Sequence, residues 1–210
     1  MVDTTNFQDS ATKIEERLQK RDNIREELLK LSRIIIKFSG QSIESYHRGK
    51  LLQAKEKLNE AEKELTKINE ILKENFQAYS VGIIGVAMQE YAEARLLYDI
   101  IENNVLTPIK DLEVTDAAYL LGIADLIGEL RRYILEKLVE GDIDTAKNFY
   151  NIMKELYGTY LQIEFGKNLI PDLRRKKDTA RVLVERTLSD LFVAQQSKNL
   201  EKRLEKENRD

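Results

Sequence analysis

Between Leu51 and Leu72, the residues Leu51, Ala54, Leu58, Ala61, Leu65, Ile68 and Leu72 recur at alternating steps of three and four, with Lys and Glu filling most of the gaps. Seven positions on a 3.5-residue repeat specify a helix whose apolar seam lies against another helix. A strand would alternate every second residue, and this segment does not. Upstream, from about Asp9 to His47, a matching stripe runs through Ile24, Leu28, Leu31, Ile35 and Phe38. Gly49 is the stop signal between the two segments, and Gly40 offers a point for a kink. The pair is expected to pack antiparallel.

The same periodicity continues downstream. Helices are expected from about Phe76 to Asn103, from Thr115 or Asp116 (either a plausible N-cap) to about Gly141, and from Ile143 to Tyr157, capped by Asp142 or Asp144 and closed at Gly158. After a break from Gly166 to Asp172, a last helix spans Leu173 to about Ala194. Only two prolines interrupt 210 residues, and no segment alternates as a strand would. The fold class is therefore all-α: an antiparallel bundle of long helices forming one domain over residues 1–196. The polar tail 197–210 is expected to be frayed or disordered.

Composition removes several functions. Cysteine is absent, so the chain has no disulfide framework, thiolate metal site or thiol nucleophile. No apolar run approaches 18 residues and MVDTTNFQDS has no signal-peptide pattern, so a cytoplasmic protein with no membrane association is expected. A single histidine, His47, rules out a paired-imidazole ribonuclease, and suits a hydrogen-bonding helix-end residue better than a general acid. There is no phosphate-binding loop, dinucleotide fingerprint or nucleophile elbow. The net charge of −3 does not announce a nucleic-acid binder, although a local basic surface can coexist with it.

Two helices carry acids where apolar residues belong. In YLLGIADLIGELRR, Asp125 and Glu129 lie one turn apart beside the stripe Leu120, Ile123, Ile127, Leu130, Ile134 and Leu138, with Gly122 and Gly128 next to them. Two mid-helix glycines, each costing roughly 1 kcal/mol against alanine, suggest close approach of another helix or a ligand. In MQEYAEARLLYDII, Glu90 occupies a position of the stripe Ile83, Ala87, Ala94, Leu97 and Ile101, with Glu93 at its edge. Four carboxylates would repel one another unless cations sat between them, and oxygen-only ligands suit Mg²⁺ or Mn²⁺. Hydrolysis of a phosphodiester at such a site leaves a 5′-phosphate and a 3′-hydroxyl. With 37 acidic residues, however, most such pairs are solvated helix faces, as Glu60/Glu64 is expected to be.

These motifs also carry a resemblance. QEYAEA (Gln89–Ala94), ADLIGEL (Ala124–Leu130), REELLKLSR (Arg25–Arg33) and His47-Arg48 resemble the translin family, on the side of its nuclease member, translin-associated factor X. The likeness covers most of the chain, from about Asp22 to Asp190, and lacks the longer insertion that the eukaryotic nuclease carries before VTDAAYLL. It implies a translin-type bundle and a divalent-metal-dependent endoribonuclease acting on single-stranded or small RNA. Glu90, Glu93 and Asp125 would be metal ligands, with Glu129 a fourth ligand or the group that positions water. The non-catalytic sister, translin, lacks the aspartate. The compact form resembles archaeal relatives, which implies a homo-oligomer, expected as a hollow octamer.

Among the cations, Arg25, Arg48 and Arg132 match family positions and are the candidate RNA contacts. Arg174–Lys177 reads as a solvated run or an assembly contact. Two other classes compete with the nuclease. A translin-like scaffold would bind RNA or single-stranded DNA without cutting it, and a structural coiled-coil protein would bind neither.

Overall fold

The structure, a computed structural model, describes residues 5–75, 82–166 and 168–207. Among the described residues six α-helices follow in order: α1 (Thr5–His47), α2 (Leu51–Glu74), α3 (Gly82–Asn103), α4 (Asp116–Val139), α5 (Ile143–Leu161) and α6 (Leu173–Glu207). Among the described residues there is no strand and no helix long and apolar enough to cross a membrane.

The α1–α2 hairpin forms as its seams require. Leu28, Leu31 and Ile35 of α1 are buried, as are all the seam residues of α2 except Leu51. The turn is closed by Gly49 at φ 71°, with its N–H donating to the Tyr46 carbonyl and the Lys50 N–H donating to that of Ser45. This pair of hydrogen bonds around a left-handed residue is a common helix stop. Gly141 closes α4 in the same way, at φ 79°. Thr115 caps α4 by accepting from the Ala118 N–H at 3.2 Å, and Asp142 caps α5 by accepting from Thr145 at 3.1 Å.

α3 is the pivot of the bundle. It packs on α1 and α4 and more lightly on α2, while α4 packs in turn on α5 and α6. Because neighbours approach from several sides, α3 buries almost its whole circumference, not one stripe. Ile84, Met88, Tyr91, Ala92 and Leu96 are buried together with Ala87, Ala94 and Leu97. Glu93, expected at the edge of the stripe, is the buried acid at 8% exposure, and Glu90 is the half-buried one.

Two helix ends differ from expectation. α5 does not close at Gly158 but continues to Leu161. Tyr160 lies in that extra turn and is 1% exposed. Burying a large side chain is worth about 1.5–3 kcal/mol, which outweighs the roughly 1 kcal/mol cost of glycine. α6 runs to Glu207, through most of the tail expected to be frayed; residues 199–207 are exposed and add nothing to the core. Lys, Glu, Leu and Arg are good helix formers, so the helix extends without a packing partner. The expected start of the third helix at Phe76 lies outside the described residues.

Candidate metal and nucleic-acid site

The acids of α3 and α4 meet because the two helices come unusually close. A Cβ added at Gly122 would lie 3.0 Å from Ala92 Cβ, 3.0 Å from the Gln89 carbonyl oxygen and 3.2 Å from Glu93 N. Glycine on α4 and alanine on α3 thus bring the two backbones together beside the carboxylates. Gly128 has no such role, since a Cβ there would make only ordinary contact with Leu183 Cδ1, at 3.9 Å. Accordingly, Gly122→Val should destabilise the fold by about 1–3 kcal/mol through overpacking. Gly128→Ala should be neutral, or stabilising by up to about 1 kcal/mol. Urea unfolding of both variants checks this, and equal effects would contradict the assignment.

Asp125 sits at the centre of the seam. Its Oδ2 accepts from Gln89 Nε2 at 2.6 Å, and its Oδ1 is paired with the ammonium of Lys176 from α6. Among the described residues, Glu90 and Glu93 have no side-chain hydrogen bond or cation within bonding range. Burial, followed by the charges of Asp125, Glu90 and Glu129, pushes the Glu93 carboxyl up to about 9. Glu90 is raised by burial and then by Asp125. The Tyr160 hydroxyl, buried without a hydrogen-bond partner among the described residues, is pushed up to about 12 by burial and then by Asp125.

Glu129 is held from the other side. His47 Nε2 lies 2.7 Å from Glu129 Oε2, and His47 Nδ1 lies 3.0 Å from Glu136 Oε2, with the imidazole side chain only 1% exposed. Only an imidazolium can donate from both nitrogens. Burial works most strongly against that charge, but the two carboxylate bonds outweigh it and the His47 pKa is raised. A raised histidine stabilises the fold fully below its ordinary value of 6.5, and the contribution is lost as pH rises through the higher folded value. His47→Gln should therefore cost about 1–3 kcal/mol near pH 6 and less at pH 9. Denaturant melts at the two pH values read this directly, and a pH-independent loss would remove the charged form from the account.

The repulsion expected among four carboxylates is thus met by the chain itself. The raised pKa of Glu93 favours its protonated form at neutral pH, Lys176 pairs with Asp125, and His47 bridges Glu129 and Glu136. As the side chains stand, no group of three His, Cys, Asp or Glu among the described residues is placed to hold a metal ion. The donor set nonetheless fits a hard divalent cation. It is all oxygen, and its most buried member, Glu93, has no protein partner for the charged form among the described residues.

The candidate RNA contacts are scattered. Arg132 stands at the edge of the site, half exposed, 3.4 Å from Glu136 and 3.9 Å from Glu129. Arg48 follows His47 but pairs with Glu44. Arg25 pairs with Asp22 and Glu26 and lies roughly 33 Å along α1 from His47, at 1.5 Å per residue. Gln89 and Lys176 are members of the site that sequence reasoning missed. Gln89 adjoins Glu90 in the same motif and could have been flagged. Lys176 lies 51 residues from Asp125, in the run read as solvated or as an assembly contact, and no local pattern marks it.

The translin family model matches residues 23–187. This chain belongs to the translin family. An uncharacterised protein of Methanocaldococcus jannaschii is 32% identical over 191 residues, covering 90% of this chain and 84% of the relative. Among solved structures, AfC3PO in complex with duplex RNA is similar at a TM-score of 0.83 and 36% identity, covering 90% of this chain and 97% of that one. Apo-NeC3PO is similar at 0.79 and 29% identity, covering 88% and 96%.

Proposed function

We propose that this chain is an RNA-binding protein that cleaves RNA as a divalent-metal-dependent endoribonuclease, using Glu90, Glu93, Asp125 and Glu129. The observation that carries the reading is the α3–α4 crossing at Gly122, which brings these acids near a buried Glu93 whose charged form lacks a partner among the described residues. A relative solved with duplex RNA, at 36% identity, supports RNA as the polymer.

A Mg²⁺ or Mn²⁺ ion held by Glu90, Glu93 and Asp125 would supply Lewis-acid stabilisation of the phosphodiester oxygens. Glu93 must shed its proton to take part, and a bound dication lowers its pKa. Glu129 Oε2 is fixed by His47, which leaves Oε1 to accept a proton from the attacking water. This favours the positioning role over a fourth ligand. Water attacks phosphorus, the bond to the 3′ oxygen breaks, and that oxygen takes up a proton. The products carry a 5′-phosphate and a 3′-hydroxyl. Arg132, half exposed at the rim, would meet the phosphate backbone.

Copies of the chain assemble, with an octamer as the expected size. Val182, Leu188, Phe192 and Val193 leave exposed apolar surface on α6 that assembly would cover. The neutralisation of Asp125 by Lys176 favours a second reading, a non-cutting RNA scaffold. Incubating labelled single-stranded and duplex RNA with the protein in Mg²⁺, Mn²⁺ or EDTA separates the two. Metal-dependent products with 5′-phosphate ends support the nuclease, and salt-sensitive binding without products supports the scaffold.

A further inference from the structure

Lys176 belongs to the first turn of α6, within Arg174-Arg175-Lys176-Lys177. The run divides in three dimensions. Arg174 and Arg175 are exposed, and Arg175 Nε bonds Asp172 at 3.1 Å. Lys177 turns to the end of α5 and donates to the carbonyls of Leu161 and Ile163. That tie fixes where α6 begins. With the helix start anchored, the Lys176 ammonium is carried inward to Asp125 Oδ1, and its side chain is 14% exposed.

Both oxygens of Asp125 are therefore engaged, but by groups of different kinds. Gln89 is a neutral amide, and a carboxylate oxygen has further lone pairs, so Gln89 can remain when a cation binds. The ammonium cannot share Oδ1 with a dication, because like charges at contact distance repel. We propose that Lys176 is an exchangeable counter-ion of the carboxylate seam, pairing with Asp125 in the metal-free protein and leaving it when a divalent cation binds. The inference rests on the metal-site reading above and adds a control on it. Lysine suits the role, being a compact charge on a flexible four-carbon stem. An arginine fork could grip both carboxylate oxygens and would be harder to displace.

The test is titration of Mn²⁺ into full-length, metal-stripped protein at fixed pH, with free Mn²⁺ followed by electron paramagnetic resonance. Lys176→Met, similar in length and uncharged, should bind Mn²⁺ about tenfold more tightly than wild type, the scale of effect seen for groups that support metal ligands. Lys176→Arg should bind more weakly than wild type. The metal-free Lys176→Met protein should also melt at lower temperature, with the gap narrowing in saturating Mn²⁺. Circular dichroism and light scattering check that each variant is folded and assembled. Wild-type or weaker binding by Lys176→Met overturns the inference, as does wild-type or tighter binding by Lys176→Arg. Asp125→Asn separates the two levels. If it binds Mn²⁺ as wild type does, the metal-site reading fails; if it does not, a failed lysine test removes the counter-ion role alone.

Discussion

Asp125→Asn should lower metal-dependent RNA cleavage by about 10³-fold, the scale on which a single electrostatic group at a reacting centre acts, while leaving RNA affinity little changed. Asparagine keeps the shape of the side chain and can still accept from Gln89 through Oδ1. It removes the negative charge that pairs with Lys176 and that would hold a divalent cation. The fold should tolerate the change, because α3 and α4 are joined by the contact of Gly122 with Ala92 and by apolar neighbours such as Ile123 and Leu126. Loss of the Lys176 pair is offset in part by relief of repulsion with Glu90, which feels the Asp125 charge. The experiment is single-turnover cleavage of end-labelled RNA in Mg²⁺, beside gel-shift binding in EDTA. Cleavage at the wild-type rate would take the reaction away from this seam. A parallel loss of RNA binding would mean that Asp125 holds the polymer, not the metal.

Glu93→Gln should have the opposite effect on stability. The Glu93 carboxyl lies at about 9 in the fold against an ordinary 4.5, so the folded protein holds a proton that the unfolded chain has released. That contribution to stability is complete below about pH 4.5, declines as pH rises and is fully lost above about pH 9. At pH 7 the deficit amounts to about 3 kcal/mol, at 1.36 kcal/mol per pH unit. Glutamine carries no charge to expose, so the metal-free variant should be more stable than wild type by about this amount, with a flatter pH profile. It should also lose divalent-metal binding. Urea unfolding in EDTA at pH 5, 7 and 9 measures the slope. Parallel profiles for variant and wild type would show that Glu93 is already ionised at neutral pH. Stability gained by disabling an acid is the usual mark of a functional group kept at the expense of the fold.

The helices and their caps were legible because their causes are local. The heptad of α2, the glycine stops at 49 and 141, and the caps at Thr115 and Asp142 all act within a few residues. Expectation failed where distant packing decides. Gly158 looked like a stop, but burial of Tyr160 continues the helix past it. Glu90 looked like the inward acid, but a helix packed on three others has no single inward face, and Glu93 is the buried one. Of the two glycines beside Asp125, only Gly122 proved to be a point of close approach.

What the sequence determined by itself is the class of fold and the identity of the candidate acids, because periodicity and residue type are properties of short segments. How four carboxylates coexist was decided by tertiary structure alone. The raised pKa of Glu93 depends on burial against neighbouring helices. The bridge from His47 to Glu129 and Glu136 joins residues 82 and 89 positions apart. The counter-charge on Asp125 comes from Lys176, on a helix aimed by Lys177 at the end of α5. Electrostatic energy depends on distance through space and on burial, and neither is written in the spacing of residues along a chain.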